Sequence, residues 1–339
     1  MKNLFRLMLL AAIFITQVVK AQTNDFYDDA PQFDLKMQEL FVAGEVANPG
    51  KVDFSKLSLR QMVVKETALE GENGRFEGAY QYEGYSLYDI LDNIILKKNN
   101  ESEFPPIIDL YVEVENAAGE KVVLSWGEIY YPIHRHEIMI ASKVRRIVPS
   151  KTKDLWPLPA DSKLVVASDL YTERNISAPV RITVKSSTLK YTIDRNIPDM
   201  YAGELKFTDG DKLLKTLTDG ALTGDIISYG SVFYGRGMGI HGTTPFNGVM
   251  LKNFTGEWYK MDQQKLRTGL FVASAPDGYR AVFTFSEIFN RNDQAEVLIV
   301  PMRGVKSQGA YLLYPAADFF SDRSIRCWNR LTFMQSADM

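Results

Sequence analysis

The sequence is poor in the residues from which most metal and redox sites are built. It holds one cysteine and three histidines in 339 residues. A single cysteine excludes an intramolecular disulfide, a cysteine-rich zinc site and an iron–sulfur cluster held by cysteines. Three histidines leave little room for a histidine-rich metal centre. The chain also lacks Gly-x-Ser-x-Gly, His-Glu-x-x-His and P-loop motifs, which excludes the familiar hydrolase, metalloprotease and nucleotide sites.

The chain also lacks a large excess of one charge over the other. The chain has 39 basic and 42 acidic residues, a net charge of −3. Residues 1–21 contain three of the basic residues and no acidic one, so the remainder carries a net charge of −6. A mildly acidic chain lacks the broad positive surface that nucleic acids and anionic membranes attract, and we expect neither partner. The 45% hydrophobic content is ordinary for a folded soluble protein.

Long apolar runs are also rare, and the clearest one lies at the start. Residues 1–6 are short and basic, and residues 7–19 are almost wholly apolar. This order is typical of a secretory signal peptide. Its apolar run reaches about 20 Å as a helix, short of a bilayer core of about 30 Å. We predict a signal peptide over residues 1–21 that is cleaved near Ala21 and Gln22. The mature protein is then periplasmic or secreted, with no integral membrane span.

The rest of the chain repeats one pattern of glycine, acid and arginine positions. Intervals of nine and of five residues recur in the same order in both halves. They are Gly119 to Glu128 and Gly278 to Glu287, then Asp169 to Arg174 and Asp318 to Arg323. A self-similar unit of this length indicates tandem domains. The predicted segments are a lead-in over 22–38, a first unit over 39–185, a linker over 186–204 and a second unit over 205–334.

Local patterns are mostly those of strands, so the predicted fold class is α+β and β-rich. Alternating apolar positions and β-branched residues predict strands over 39–46, 60–66, 110–115, 121–126, 138–141, 163–167 and 180–185. Glycine in Ala118-Gly119 and Asp277-Gly278 predicts hairpin turns. Helical apolar spacing predicts a short helix over 87–96 with Ser86 as its N-cap, and a shorter counterpart over 249–254.

These positions resemble those of the oxidoreductase molybdopterin-binding domain family, which has the sulfite oxidase fold. Gly84 and Leu87 resemble its glycine–leucine step into a helix, and residues 277–287 resemble its Asp-Gly-Tyr hairpin with a following acid. Asp318 and Arg323 are similar to its closing strand. The resemblance implies two tandem sulfite-oxidase-fold units. It also implies a molybdopterin cofactor whose molybdenum is held by a cysteine thiolate.

The sequence departs from that family at the metal ligand. The ligand cysteine is expected within 62–67 of the first unit or 227–231 of the second, and neither segment contains cysteine. Cys327 lies beside the last strand instead, opposite Ala178 in the repeat. The residues therefore resemble those of the family in what they imply about the fold. A molybdopterin cofactor is implied by the family resemblance alone, because the expected cysteine ligand is absent.

A glycine-rich stretch provides the first candidate binding site. Its members are Gly235, Arg236, Gly237, Gly239, His241 and Thr243. Backbone N–H groups of a glycine-rich loop can hold an anion, and arginine and histidine add charged donors. The alternative is a plain bulged connection. The order of the glycines does not match a dinucleotide-binding motif.

A histidine pair provides the second candidate. His134 and His136 lie on one face if the segment is extended, and Glu128 or Glu137 could complete a zinc site. The alternative is a solvated loop. Glu128 and its repeat Glu287 are interpreted as helix N-terminal charges. The two repeated Asp–Arg pairs are interpreted as partly exposed ion pairs of modest strength.

These observations favour an exported, non-catalytic binding protein for a small anionic or planar ligand. Its pocket is expected in a cleft between the units, with Arg236 and His241 at the mouth. One alternative is a periplasmic molybdopterin-dependent oxidoreductase. A second is an envelope scaffold that binds a protein or a glycan.

Overall fold

The structure is a computed structural model that describes residues 30–71, 73–194, 196–198, 200–302 and 309–339. The predicted signal peptide and the first residues of the lead-in lie outside the described residues, so cleavage and export stay predictions. The described part is β-rich, as expected. None of the helices in these ranges is long and apolar enough to cross a membrane.

The first half of the chain forms strands joined by hairpins and two short helices. The strands are β1 (Gln32–Asp34), β2 (Phe41–Gly44), β3 (Gly50–Lys51), β4 (Leu59–Glu70), β5 (Asn73–Ser86), β6 (Leu110–Asn116), β7 (Lys121–Ser125), β8 (Ile138–Arg146), β9 (Lys163–Val166) and β10 (Pro179–Ser186). The helices are α1 (Leu87–Leu91) and α2 (Trp126–Tyr130), with 3₁₀ turns at Phe54–Lys56 and Ile107–Asp109.

The second half has its own set of elements. The strands are β11 (Glu204–Asp209), β12 (Lys212–Thr218), β13 (Ile226–Tyr229), β14 (Phe233–Gly235), β15 (Gly239–Gly242), β16 (Phe246–Met250), β17 (Gly269–Ser274), β18 (Arg280–Thr284), β19 (Val297–Pro301), β20 (Tyr311–Pro315) and β21 (Arg330–Gln335). The helices are α3 (Leu251–Thr255), α4 (Gln263–Thr268) and α5 (Phe285–Phe289), with 3₁₀ turns at Ser321–Arg323 and Ser336–Asp338.

The two halves share one strand connectivity. In the first, a sheet runs β3-β2-β10-β6-β7, with β2 parallel to β10 and β6 paired with β7 as a hairpin. In the second, the sheet runs β12-β11-β21-β17-β18, with β11 parallel to β21 and β17 paired with β18 as a hairpin. The remaining strands form β1-β8-β5-β4, with β9 on β8, and β13-β16-β19-β20. This matching order accompanies the sequence repeat. The unit bounds and the sulfite oxidase fold stay predictions.

The elements predicted from the sequence are confirmed with shifted ends. Each predicted strand is present, and the two hairpin glycines, Gly119 and Gly278, both have φ of +83°. The first helix ends at Leu91 and not at residue 96, because the following chain turns back to the opening segment. There the backbone N–H of Ile95 donates to the Asn48 side chain at 2.7 Å. The lead-in contributes a strand, since β1 pairs with β8.

Apolar packing joins the halves. The hairpins β6–β7 and β17–β18 share a cluster in which Tyr111 and Val123 meet Leu270, Val272 and Val282. The main core of the second half also takes in buried side chains of the first half, which are Leu69, Phe104, Ile108 and Tyr131. Burial of apolar surface at about 25 cal/mol per Å² therefore favours one fixed arrangement of the halves.

Candidate functional site

Helices α2 and α5 begin at equivalent places in the two halves, and both begin with a capping box. The Ser125 hydroxyl accepts a bond from the Glu128 backbone N–H, and the Glu128 carboxylate accepts one from the Ser125 N–H. Thr284 and Glu287 repeat the arrangement at α5. Both glutamates therefore lie at a helix N-terminus, as predicted from the sequence.

Two buried arginines connect these caps across the halves. Arg174 donates to both carboxylate oxygens of Asp169 and, at 2.9 Å, to Glu128 of its own half. Its Nη1 also lies 3.2 Å from Thr284 Oγ1 of the other half.

Arg323 makes the same set of contacts from the second half. It donates to both oxygens of Asp318 and, at 2.7 Å, to Glu287. Its Nη1 lies 3.2 Å from the Ser125 hydroxyl of the first half. These contacts form one interface cluster, which consists of the cap hydroxyls of Ser125 and Thr284 and the charged side chains of Arg174, Asp169, Glu128, Arg323, Asp318 and Glu287.

The expectation that the Asp–Arg pairs are partly exposed is wrong. Every charged side chain of the interface cluster is at most 5% exposed. Spacing along the chain showed the pairing, but it could not show that the second half covers the first. Burial raises the pKa of Glu128 to about 7; the nearby Arg174 opposes this shift and the negative charge of Glu287 adds to it.

A second ionic link also joins the halves. The Asp109 carboxylate of the first half is 2.6 Å from Lys98 Nζ and accepts a 3.2 Å hydrogen bond from Arg280 of the second. Asn290 adds neutral bonds, because its side chain pairs with the backbone N–H and C=O of Tyr171, each at 2.8 Å. These bonds join the halves, and the expected cleft is closed where they form. A pocket of about 380 Å³ remains between Phe104 and Pro106 of the first half and residues 277–279 of the second.

The glycine-rich stretch forms a β-hairpin, although a loop was predicted. Strands β14 and β15 pair antiparallel, with Gly235 opposite Gly239. Gly239 has φ of +73°, and Gly235 faces the His241 ring so closely that a Cβ would lie 2.5 Å from Nε2. Backbone groups of the stretch therefore bond to each other across the hairpin. Gly237, His241 and Thr243 are partly or fully exposed along it.

Arg236 lies at the turn of this hairpin and contacts both halves. Its Nε is 3.1 Å from Asp322 Oδ1, and its guanidinium lies 5.7 Å from the ring centre of Tyr131 in the first half. The Tyr131 hydroxyl and Asp322 Oδ2 are buried without a hydrogen-bond partner among the described residues. Burial raises the pKa of Tyr131 to about 12. Unsatisfied buried polar atoms are uncommon and often mark functional positions.

Two exposed aromatic side chains lie near the Arg236–Asp322 pair in the chain, Tyr234 two residues before Arg236 and Phe319 three residues before Asp322. The ring of Tyr234 is 5.8 Å from that of Phe319 and 6.3 Å from that of Phe320. Tyr234 is 39% exposed and Phe319 is 48% exposed. The platform is defined here as Tyr234, Arg236, Phe319 and Asp322.

Sequence reasoning identified only Arg236 of the platform. Asp322 is paired with a residue 86 positions away, so no local pattern marks it. The available signal was the pair of adjacent phenylalanines, Phe319 and Phe320, before the Asp322 turn.

The histidine pair borders a small pocket. His134 and His136 line it together with Glu128, Glu137 and Arg291. His136 Nδ1 is 3.0 Å from the Ser86 hydroxyl, so the predicted N-cap serine contacts this ring and makes no side-chain capping bond. Desolvation lowers the pKa of His136. Within the described ranges, no three His, Cys, Asp or Glu side chains are grouped to hold a metal ion.

The first segment expected to hold molybdenum contains a satisfied ion pair. Glu66, on β4, accepts bonds from Lys163 at 2.7 and 2.8 Å, from Tyr82 at 3.0 Å and from Asn175 at 3.2 Å. A carboxylate bound in this way has little capacity left for a metal ion.

Residues 227–231, the second segment expected to hold molybdenum, and the single cysteine also do not fit a molybdopterin cofactor. On or just after β13, Tyr229 donates to the Gln294 carbonyl and Ser231 accepts from Tyr314. The Cys327 thiol donates to the Met200 carbonyl, and burial raises its pKa. The residues present do not fit a molybdenum held by a thiolate.

The chain matches no protein-family model, and no curated protein sequence is similar to it at a significant level.

Proposed function

We propose that the protein is an exported, non-catalytic binding protein that holds a planar, polar ligand on the platform. The observation that carries the proposal is the pairing of Arg236 with Asp322 at 3.1 Å beside two exposed aromatic rings. Flat ligands stack on such rings, and the half-exposed guanidinium of Arg236 offers N–H donors beside them.

The Arg–Asp pair favours a planar ligand over a simple anion. Asp322 neutralises Arg236, so an anion would have to replace a carboxylate that is already in place. Arg236 is 47% exposed, so a ring that carries an acceptor group can accept a bond from its guanidinium without separating the pair. Of the two ligand types predicted from the sequence, the planar one is supported better.

The closed interface supports binding without closure of the two halves. The interface cluster and the Lys98–Asp109–Arg280 link are buried and bonded on both sides. Opening the halves would break the Arg280–Asp109 ion pair and expose to water the apolar cluster shared by the hairpins β6–β7 and β17–β18, which costs free energy. We therefore expect the platform to be preformed.

Calorimetric titration with planar probes tests the proposal. Neopterin, riboflavin and adenosine serve as probes, and the variants Y234A and R236A remove one element of the platform each. Stacking of an aromatic pair contributes about 0.5–1.5 kcal/mol, so we expect Y234A to weaken the binding of at least one probe by about 2- to 13-fold. A hydrogen bond to a charged group contributes about 1.5–3 kcal/mol, so R236A should weaken it by about tenfold or more.

Arg135 provides a matched control. It is another exposed arginine over a tyrosine ring, 5.1 Å from the centre of Tyr88. R135A should leave affinity unchanged. Binding by none of the probes, or equal losses in R135A and R236A, contradicts the proposal.

Export is tested separately. Cell fractionation of a host that expresses the full chain should recover a mature form outside the cytoplasm, with its N-terminus near Gln22. Recovery of a chain that retains residues 1–21 in the cytoplasm contradicts export.

The scaffold alternative has one observation in its favour. Met238 and Ile240, on the same hairpin as Arg236, are 84% and 60% exposed. Exposed apolar side chains of this kind are typical of protein interfaces. Failure of every small probe, together with a stable protein complex lost in M238E, would favour the scaffold.

A further inference from the structure

We infer that the protein has a second binding site, for a small organic carboxylate with an apolar body, in a groove beneath the linker. The groove has a volume of about 510 Å³. Its walls are the linker residues 189–192, the β11–β12 turn, the β17–β18 turn and β21. This volume is in the range of small-molecule sites, about 300–1,000 Å³.

Two cations without an acidic partner border the groove. Lys190 lies in the linker and Arg330 begins β21, and both line the groove. Neither forms an ion pair with an acidic residue in the described ranges, unlike the buried Arg174, Arg280 and Arg323. Asp211 is the one carboxylate among the lining residues, so the lining carries an excess of positive charge. Arginine and lysine at a concave surface favour a carboxylate, which arginine can hold with two parallel bonds.

The rest of the lining is suited to an apolar body. Leu189, Ala275, Pro276 and Met334 contribute apolar groups, and Tyr191 contributes a ring. A ligand with a carboxylate at one end and an aromatic or aliphatic body therefore matches both parts of the lining.

The linker wall is held in place by close packing. A Cβ at Gly278 would lie 2.5 Å from Ile193 Cδ1 and 2.8 Å from the Thr192 carbonyl, so only glycine allows this approach. The Asp194 N–H donates to the Asp277 carbonyl at 3.2 Å. The buried Arg280 lies 5.1 Å from the Tyr191 ring centre and supports that ring from below. A wall built in this way gives a groove that needs little ordering when a ligand binds.

Calorimetric titration with phenylacetate and indole-3-acetate tests the inference. Phenylacetamide and indole-3-acetamide are the matched neutral probes, since they keep the ring and remove the charge. We expect the carboxylates to bind the full mature chain at least about tenfold more tightly than the amides. The double variant K190Q/R330Q should lose that preference.

Two controls separate this site from the platform. R181A, which removes an exposed arginine of β10, should leave carboxylate binding unchanged. Y234A and R236A should leave it unchanged as well. If Y234A or R236A lost carboxylate binding, the carboxylates would bind at the platform and not in the groove. That result would overturn the inference and support the proposed function.

Three further results also overturn the inference. They are equal affinity for carboxylates and amides, undetectable binding of all four probes, and full binding by K190Q/R330Q. The platform has its own probes, which are neopterin, riboflavin and adenosine, and its own variants, so their binding can persist when the groove proposal fails.

Discussion

Arg174 donates a hydrogen bond of 3.2 Å to Thr284 Oγ1, the hydroxyl that caps a helix in the other half of the molecule. Arg323 likewise donates a hydrogen bond of 3.2 Å to the Ser125 hydroxyl, which caps a helix in the first half. Each arginine therefore neutralises acids of its own half and reaches the helix start of the other. This reciprocal contact explains why the Asp–Arg spacing recurs in both halves, and it holds the halves in one orientation.

Removal of either arginine should strongly destabilise the protein. R174A leaves Asp169 and Glu128 buried without their main positive partner. Loss of one partner of a buried ion pair costs about 3–5 kcal/mol. Urea unfolding should show this loss for R174A and, by symmetry, for R323A.

The exposed Arg135 is the control for this prediction as well. R135A should change the free energy of unfolding by no more than about 0.5 kcal/mol. A loss below about 1 kcal/mol in both R174A and R323A would mean that the interface cluster contributes little to stability.

Stability should fall as the pH rises toward neutrality. Glu128 has a pKa of about 7 in the folded protein and an ordinary value of 4.5 when unfolded. Between these values the folded chain binds the extra proton, so the contribution of Glu128 to stability is fully present below about pH 4.5 and is lost as the pH rises through 7. The full difference is about 3 kcal/mol. Burial also raises the pKa of Asp169 and Asp318, which acts in the same direction.

Urea unfolding from pH 5 to pH 8 measures this dependence. E128Q removes the titrating group and keeps an acceptor oxygen, so its stability should depend less on pH over that window. The same slope in wild type and E128Q would show that Glu128 does not hold the proton.

Gly127 should tolerate no side chain. A Cβ there would lie 2.1 Å from Arg323 Nη1, inside the interface cluster. G127A must displace the guanidinium and should cost about 1–3 kcal/mol, the usual penalty of overpacking. Gly50 has nothing within 4 Å of its added Cβ, so G50A is the matched control. Equal midpoints of thermal unfolding for the two variants would contradict the close approach of Arg323.

The sequence predicted the local features better than the contacts between distant segments. The strands, the hairpin turns at Gly119 and Gly278, and the helix-start glutamates follow from alternation, glycine and spacing, which are local signals. The burial of Arg174 depends on Thr284, 110 positions away, and no local pattern carries that information.

The platform was missed for the same reason. Arg236 was marked by its glycine neighbours, but Asp322 is brought to it by the fold of the second half. The glycines suggested a loop around an anion. Their spacing instead allows a tight hairpin, with positive φ at Gly239.

Whether this fold serves binding or redox chemistry is tested most directly by the molybdenum and pterin content of the mature protein, purified from a host that makes the cofactor. Glu66 is satisfied by Lys163, and no cysteine lies on β4 or β13. We therefore predict molybdenum and pterin far below one per chain, and we expect this cofactor-free protein to bind the planar probes. Molybdenum and pterin near one per chain would contradict the proposed binding function and make the protein an oxidoreductase with unusual metal ligands.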